Sequence, residues 1–324
     1  MHTLVTGAAG FIGSRMVEFL HSKNVPVISV DKTQHFETRS EHAGFHFGQI
    51  LDRDELWNWL GKNRPPLQCI IHMGACSNTM ELDEDFLRKV NLEYSQKLWT
   101  YAAAEKIPFV YASSGATYGA GELGYDDDEA LFQKLKPLNP YGESKRLFDL
   151  WVLEQEKLKH TPPTWSGFKF FNVYGFGERH KTKMASVALH AYDQILKSGS
   201  LKLFKSHRPD IAHGHQKRDF IAVEDVVKVL DFAMGKPISR GIFNLGSGQA
   251  STFLDLGKAV FAALGKPEKI EFIDTPEILR SRYQYFTEAK MARLRKEGYT
   301  APFTSLESGI LEYMKRLRRF DLLP

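Results

Sequence analysis

Short β-branched and apolar runs alternate with helical segments through the first half of the chain. The runs that are typical of buried strands are HTLVT, VPVISVD, LQCIIHMGA, PFVYASS and SGFKFFNVYG. Between two of them, apolar residues at spacings of four and three predict an amphipathic helix with Phe86, Val90, Tyr94, Leu98 and Tyr101 on one face. Strands that alternate with helices predict an α/β fold with a doubly wound parallel sheet, whose ligands bind at the carboxyl ends of the strands.

Three glycines stand between the first strand and its helix. The phrase LVTGAAGFIG places Gly7, Gly10 and Gly13 at a Gly-x-x-Gly-x-x-Gly spacing. Glycine lets the backbone turn sharply and approach a pyrophosphate, whose charge is favoured by the helix N-terminus. Asp31 closes the second strand, where a carboxylate can accept hydrogen bonds from an adenosine ribose. These residues predict a dinucleotide cofactor, with a tight structural turn as the alternative.

Cations lie close to Asp31 in the sequence. Lys32, Arg39 and Arg53 could neutralise the 2′-phosphate of NADP, although each could also be an ordinary surface charge. The acidic residue favours NAD and the cations favour NADP. The residues alone leave the choice between the two cofactors open.

A second motif combines a strand end with a helix start. The phrase YASSGATYG ends a strand, and PYGESKRLF opens a helix on which Tyr141 and Lys145 share one face. A phenol titrates near pH 10, and an adjacent ammonium and a positive nicotinamide ring would both favour its phenolate form. Ser114 could hold a substrate hydroxyl while Tyr141 takes its proton. We predict these three residues to be catalytic.

Together, these motifs resemble the extended short-chain dehydrogenase/reductase family, and the phrases KRDFIAVEDV and FNLGSG extend the resemblance over essentially the whole chain. The resemblance implies a Rossmann-type fold, a nicotinamide cofactor and a nucleotide-sugar substrate. It also implies that Arg218 clamps the substrate pyrophosphate, since a guanidinium can bind phosphate through two parallel hydrogen bonds. We predict a dinucleotide-binding domain over residues 1–174, with 219–240 returning to it, and a smaller mixed α/β substrate lobe over 175–218 and 241–324.

Four further phrases are similar to one branch of this family: GACSNTME, ASSGATYG, HKTKMASVALH and RYQYFTEA. That branch epimerises an ADP-activated heptose at carbon six with tightly bound NADP, for the lipopolysaccharide core, and the resemblance implies a homo-oligomer such as a pentamer. It assigns these residues to the cofactor, beside those named above: Phe11, Ile12, Met73, Gly74, Ala75, Cys76, Ser77, Asn91, Tyr141, Lys145, Val173 and Lys181. It assigns these to the ADP-sugar: Ser114, Asn172, Lys183, His190, Phe204, Lys205, Ser206, His207, Arg218 and Tyr283.

The stretch GFGERHKTKMASVALH contains a run of cations, and such a run is usually a solvated surface. The question is whether one of these cations points inward. We predict that Lys181 points inward as a second acid–base residue, whereas Arg179 and Lys183 face solvent or phosphate. The best-known members of the branch carry serine in place of Lys183, and their connection after Phe204 is shorter than residues 205–216. The three histidines of that loop suggest a metal at first sight, but this chemistry needs none, and we predict a polar loop and no metal site.

Composition limits the class of ligand and the compartment that the chain suits. The chain has 324 residues, 43% hydrophobic and 25% charged, and a net charge of +4 that suits a polyanionic small ligand better than nucleic acid. Two cysteines provide no disulfide framework, which fits a reducing compartment. The N-terminus carries no signal core, and no apolar run approaches the roughly 20 residues that span a bilayer. We expect a cytoplasmic protein without nucleic-acid or membrane partners.

Three other functions compete with this interpretation. A 4,6-dehydratase of this fold needs an acid just after the catalytic serine position, where this chain has Gly115 and Ala116. A nucleotide-sugar 4-epimerase is not excluded by the motifs. A non-catalytic NADP-sensing protein commonly loses the tyrosine or the lysine, and this chain retains both Tyr141 and Lys145.

Overall fold

The computed structural model of the chain describes residues 1–235, 238, 240–280 and 283–322. Some sequence predictions fall outside these ranges. They concern residues 236, 237 and 239 of the predicted returning segment, Arg282 of the phrase RYQYFTEA, and residues 323–324 at the end of the predicted smaller lobe.

The strands in the part of the chain that the structure describes are β1 (His2–Thr6), β2 (Val27–Asp31), β3 (Gln49–Asp52), β4 (Leu67–His72), β5 (Phe109–Ser114), β6 (Trp165–Phe170), β7 (Asn172–Tyr174), β8 (Leu201–Phe204), β9 (Lys217–Ala222), β10 (Ile242–Leu245), β11 (Ala250–Thr252) and β12 (Ile270–Ile273). The α-helices of the same part are α1 (Phe11–Ser22), α2 (Thr33–Thr38), α3 (Leu56–Asn63), α4 (Glu84–Leu87), α5 (Tyr94–Ala104), α6 (Pro140–Lys157), α7 (Val187–Ser198), α8 (Val223–Gly235), α9 (Phe253–Leu264), α10 (Glu277–Arg280), α11 (Ala292–Lys296) and α12 (Leu306–Asp321).

Seven of these strands form one parallel sheet in the order β10-β6-β5-β4-β1-β2-β3. One apolar core lies between the sheet and helices α1 and α8, and a second lies between the opposite face and helices α3, α5 and α6. The predicted Rossmann-type, doubly wound sheet is confirmed. Its carboxyl-terminal edge collects the ends of β1, β2, β4 and β5, which carry the predicted cofactor and catalytic motifs.

Strand β10 corrects one detail of the predicted domain boundaries. Residues 241–324 were assigned to the smaller lobe, but Ile242–Leu245 pairs in parallel with β6 at the edge of the large sheet. All four residues of the strand are buried, so their apolar run fits a strand covered on both faces. The division of the other residues between the two lobes stays a prediction.

The phrase SGFKFFNVYG contains two strands where the sequence suggested one. Strand β6 belongs to the large sheet, whereas β7 pairs with β9 in a three-stranded sheet completed by β11. Strands β8 and β12 form a further pair, and helices α7, α9 and α12 share the core of this smaller part. The chain therefore crosses between the two sheets just before the cation-rich stretch.

The helical segment before β5 also departs from its predicted form. A π-helical turn over Arg88–Glu93 joins α4 to α5. Phe86, predicted on the apolar face, is exposed, and the buried side chains of this region include Leu87, Asn91 and Ser95. Leu98 of the predicted face is fully buried, so the prediction holds in α5, whereas in the preceding turns the buried positions lie one residue later and include the polar Asn91. No helix among the described residues is long and apolar enough to cross a membrane.

Candidate active site

The glycine loop and the loop after β4 approach each other closely. Gly7 has a φ of 65°, and a Cβ built on it would lie 2.6 Å from the backbone nitrogen of Gly74. Helix α1 starts at Phe11 after Gly10, and no side chain caps its first turn. Phe11 and Ile12 lie in that turn. The uncapped amides and the positive end of the helix dipole favour an anion at this point.

Asp31 fastens the glycine loop to the end of β2. Its Oδ2 accepts a hydrogen bond from the amide of Ala9 at 3.1 Å, and its Oδ1 accepts one from the amide of Lys32 at 2.8 Å. Two of the predicted cations contact the backbone near this carboxylate. The Arg39 guanidinium donates to the carbonyl of Ala9, and the backbone amide of Arg53 donates to the Asp31 carbonyl at 2.9 Å. The Arg39 side chain therefore brings positive charge to the glycine loop, whereas the Arg53 guanidinium lies 3.5 Å from the carboxylate of Asp54.

The buried His42 and the half-buried His180, which the sequence analysis did not assign, lie near the same place. The Nδ1 atom of His180 and the Nε2 atom of His42 are buried without a hydrogen-bond partner among the described residues. Burial, followed by the positive charge of Arg39, lowers the pKa of His180 to about 3 and that of His42 to about 4. Both rings are therefore neutral at pH 7, and a polar ligand atom could satisfy either nitrogen.

Asn91 holds the loop of residues 73–77 that follows β4. Its amide oxygen accepts a hydrogen bond from the Cys76 amide at 2.8 Å, and its Nδ2 donates to the Cys76 carbonyl and the Ser144 hydroxyl, both at 3.0 Å. Every polar atom of this buried side chain is thereby used within the protein. The geometry favours Asn91 as a support of the loop, on which Met73, Gly74, Ala75, Cys76 and Ser77 lie.

Ser114, Tyr141 and Lys145 come from the end of β5 and the start of α6. Asn139 caps α6 by accepting a hydrogen bond from the Gly142 amide at 2.8 Å, and Pro140 begins the helix, so Tyr141 lies in its first turn. Lys145 follows one turn later on the same face. Its Nζ donates to a β5 carbonyl at 2.9 Å, and burial lowers its pKa to about 8.

The pKa of Tyr141 depends on burial as well as on charge. An adjacent ammonium was expected to favour the phenolate, but burial raises the pKa of Tyr141 above its ordinary value, and a hydrogen bond with Ser114 opposes the rise only in part. The prediction considered charge and neglected desolvation, which disfavours any charged form inside the protein. The protein groups alone therefore hold Tyr141 as a neutral phenol at pH 7.

Lys181 lies beside the glycine loop. It belongs to a 3-10 segment, Arg179–Met184, that follows β7, and its Nζ is 5.5 Å from the centroid of the Phe11 ring. Burial lowers the pKa of Lys181, and the negative charge of Glu178 opposes this shift. The pKa of Lys181 is therefore closer to neutrality than that of an exposed lysine.

The two other cations of the stretch behave differently from each other. Lys183 is exposed, as predicted. Arg179 was expected to face solvent or phosphate, but its Nη1 lies 3.2 Å from a carboxylate oxygen of Asp193 and its Nη2 lies 3.0 Å from one of Asp321. Arg179 is therefore held by structural ion pairs to α7 and α12.

Arg218 lies on β9 next to a cavity. Its guanidinium donates to the carbonyls of Lys217 and Gln284, and its carbon is 5.5 Å from the centroid of the Tyr283 ring. The neighbouring cavity of about 370 Å³ is lined by Ala120, Gly121, Tyr125, Leu138, Arg208, Tyr283, Gln284, Tyr285 and Phe286. Arg208 of the long loop was not predicted from the sequence, although an arginine near a predicted phosphate clamp is a recognisable signal.

The remaining residues predicted to bind the sugar nucleotide are scattered around the smaller sheets. Asn172 lies on β7, His190 lies on α7, and Phe204 ends β8; Val173, which was predicted to bind the cofactor, follows Asn172 on β7. Some of the loop residues have partners within the protein. Lys205 pairs with Asp274 at 3.1 Å, the buried Ser206 hydroxyl donates to the Arg208 carbonyl at 3.1 Å, and the exposed His207 follows them.

The three histidines of residues 205–216 do not converge. The Nδ1 of His213 accepts a hydrogen bond from the Ser206 amide at 3.1 Å, whereas His207 and His215 are exposed. Within the described ranges, no group of three histidine, cysteine, aspartate or glutamate side chains could hold a metal ion.

Comparison with known proteins bears on this arrangement. The model of the NAD dependent epimerase/dehydratase family matches residues 3–246. The chain belongs to this family. A nicotinamide cofactor, as predicted, is in keeping with it.

Named relatives cover nearly the whole of this epimerase/dehydratase-family chain. It is 43% identical over 323 residues to the ADP-L-glycero-D-manno-heptose-6-epimerase of Fusobacterium nucleatum, covering 96% of each chain. It is 43% identical over 316 residues to the enzyme of the same name from Nitratidesulfovibrio vulgaris, covering 97% of each. The Helicobacter pylori ADP-L-glycero-D-manno-heptose-6-epimerase structure is 26% identical with a TM-score of 0.81, covering 99% of this chain and 96% of that one.

A buried ion pair that was not predicted lies near Ser114 and Lys145. Lys169 of β6 and Asp149 of α6 are both fully buried, with Nζ and Oδ2 2.5 Å apart. The Ser113 hydroxyl donates to the same carboxylate at 2.7 Å, and Lys169 also donates to the Thr117 hydroxyl at 2.9 Å. The pair therefore joins α6, β5 and β6 directly beneath Ser114 and Lys145.

Proposed function

We propose that this protein converts ADP-D-glycero-D-manno-heptose into ADP-L-glycero-D-manno-heptose by inverting carbon six. The names of the relatives at 43% identity support the substrate. The observation that carries the proposal is the position of Lys181, a desolvated lysine beside the glycine loop. It supplies a second acid–base group on an element separate from the helix that carries Tyr141.

Inversion requires proton transfer at two positions of the substrate oxygen. When bound, a nicotinamide cofactor would supply the hydride chemistry at carbon six, so that the resulting ketone could be reduced again from its opposite face. Tyr141 takes the hydroxyl proton in the first half, while Ser114 holds the oxygen. After the ketone turns over, its oxygen lies out of reach of Tyr141, and Lys181 donates the proton that completes the new hydroxyl.

Tyr141 needs positive charge nearby to act as a base, because burial raises its pKa. Lys145 lies one turn along the same helix face, and its pKa of about 8 leaves much of it protonated at pH 7. The positive ring of an oxidised nicotinamide would add to that charge. The buried pair of Asp149 and Lys169 fixes the helix and strand that carry these groups.

The residues at the end of β2 favour NADP over NAD. Lys32, Arg39 and Arg53 would surround the 2′-phosphate, and the unpartnered Nδ1 of His180 would meet a polar atom of the adenosine end. Gly7, Gly10 and Gly13 let the loop turn tightly, since a Cβ on any of them would meet backbone atoms within 3 Å, and this turn would let the backbone approach the pyrophosphate. Because the same hydride must return, the cofactor is expected to stay bound through each cycle.

We expect denatured protein to release NADP, in an amount close to one per chain, with at most a trace of NAD. Liquid chromatography of the released nucleotide and mass spectrometry distinguish the two by the 2′-phosphate. Release of NAD alone would remove the roles given to the three cations.

We also propose a use for the product, a cellular compartment and an oligomeric state. The product is an activated heptose that suits assembly of the lipopolysaccharide core, and the work would be done in the cytoplasm by a homo-oligomer such as a pentamer. Sedimentation analysis of the cofactor-loaded protein measures the subunit count.

Purified, cofactor-loaded protein tests the proposal when it is offered ADP-D-glycero-D-manno-heptose and UDP-glucose separately. We expect only the heptose to turn over, to a mixture of its carbon-six epimers that proton NMR can quantify. Turnover of UDP-glucose alone would favour a 4-epimerase. Turnover of no nucleotide sugar would favour a non-catalytic NADP-sensing protein.

A further inference from the structure

Glu41 joins the Lys181 segment to the domain that carries the glycine loop. This side chain is 5% exposed and lies in a 3-10 turn, Ser40–His42. Its Oε1 accepts a hydrogen bond from the amide of Gly177 at 3.0 Å, and its Oε2 accepts one from the amide of Arg179 at 2.8 Å. Both oxygens of this buried carboxylate therefore accept hydrogen bonds from backbone amides just before Lys181.

A second buried carboxylate holds the other end of the segment. The Oε2 of Glu178 accepts a hydrogen bond from the Ser186 amide at 2.6 Å, and its Oε1 accepts one from the Tyr313 hydroxyl at 3.0 Å. Between these anchors, Thr182 has a φ of 47° and a ψ of −116°. A β-branched residue rarely adopts such a φ, and strained conformations persist where the surroundings determine them. The backbone next to Lys181 is thus fixed from both sides.

The segment that contains Glu41 also contacts the glycine loop. Arg39, two residues earlier, donates to the carbonyl of Ala9, whose amide donates to Asp31 at 3.1 Å. Residues 39–41 therefore connect the glycine loop on one side with the backbone before Lys181 on the other. Through this connection, the position of Lys181 is defined relative to the cofactor loop.

From this geometry we infer that Glu41 is a positioning residue that fixes Lys181 relative to the cofactor and so supports turnover. The inference rests on the acid–base role proposed above for Lys181. A displacement of about 1 Å can lower a rate by as much as 10²-fold, so a small displacement of Lys181 is expected to lower turnover. A carboxylate offers an acceptor oxygen to each of the two amides, whereas a glutamine offers one oxygen and turns its own donor towards the second amide.

Hydrogen exchange tests the structural part. We compare Glu41→Gln with Glu37→Gln, which changes an exposed glutamate of α2, in cofactor-loaded protein. Amides of residues 175–186 are expected to exchange faster in Glu41→Gln and at the wild-type rate in Glu37→Gln. Unchanged exchange in Glu41→Gln would overturn the inference. Glu41→Asp, which keeps the charge and shortens the side chain by one methylene, gives the same comparison if the glutamine variant does not fold.

Turnover tests the kinetic part. Glu41→Gln is expected to lower kcat about 10- to 100-fold with the cofactor retained. In a Lys181→Ala background, the same change is expected to alter kcat by less than about twofold, because no acid–base group is left to position. An equal loss in both backgrounds would identify Glu41 as a merely structural residue. If the wild type does not epimerise ADP-heptose at all, the proposed function falls, and the exchange comparison alone decides the role of Glu41.

Discussion

Turnover is expected to fall about 10²–10⁴-fold when Tyr141 is replaced by phenylalanine, with the cofactor still bound. Phenylalanine preserves the packing of the ring in the first turn of α6 and removes only the phenol oxygen that we propose as the acceptor of the substrate proton. Burial already raises the pKa of this hydroxyl, so nearby cations are required for it to work as a base.

Initial rates with ADP-heptose measure this loss, and the released nucleotide measures cofactor content. Tyr299→Phe is a matched control, since that tyrosine is buried in the core next to α8 and its hydroxyl has no partner among the described residues. The control is expected to retain wild-type turnover. Near-normal activity of Tyr141→Phe would exclude Tyr141 from the chemistry.

Lys181→Ala is expected to reduce epimerisation by a similar factor, about 10²–10⁴, because the turned-over ketone loses its proton donor. The fold and the cofactor content are expected to stay unchanged, since the segment is held by Glu41 and Glu178 through contacts that do not involve the Lys181 side chain. The loss should appear in kcat, as the donor acts in the reaction itself.

Lys197→Ala serves as the control for Lys181→Ala, because it removes an exposed lysine from the neighbouring helix α7. Circular dichroism and nucleotide release check fold and cofactor in both variants. If Lys181→Ala epimerises at close to the wild-type rate, the cation-rich stretch is a solvated surface and Lys181 has no part in proton transfer.

Features that depend on local sequence could be predicted. The glycine spacing fixes the β1–α1 turn, and the four-residue spacing of Tyr141 and Lys145 fixes their shared helix face. The alternation of strands and helices was likewise enough to predict the parallel sheet, because each element carries its own hydrophobic period.

Features that depend on distant partners could not be predicted. Glu41 binds amides 136 and 138 residues away, and the buried pair joins Lys169 to Asp149 across two elements. The short sequence of β10 has the same pattern whether the strand pairs in the large sheet or in a small one. The rise in the pKa of Tyr141 that burial causes could not be predicted, because desolvation is a property of the folded interior.

Carbon-six isotope tracing tests the central claim, that one hydride leaves carbon six and returns to its other face. ADP-D-glycero-D-manno-heptose carrying deuterium at carbon six is incubated in ordinary water with the cofactor-loaded protein, and the L-glycero epimer is analysed by NMR and mass spectrometry. The account predicts that the epimer retains its deuterium. An epimer that has exchanged its deuterium for hydrogen from water would contradict hydride return, and would instead indicate removal of a proton from carbon.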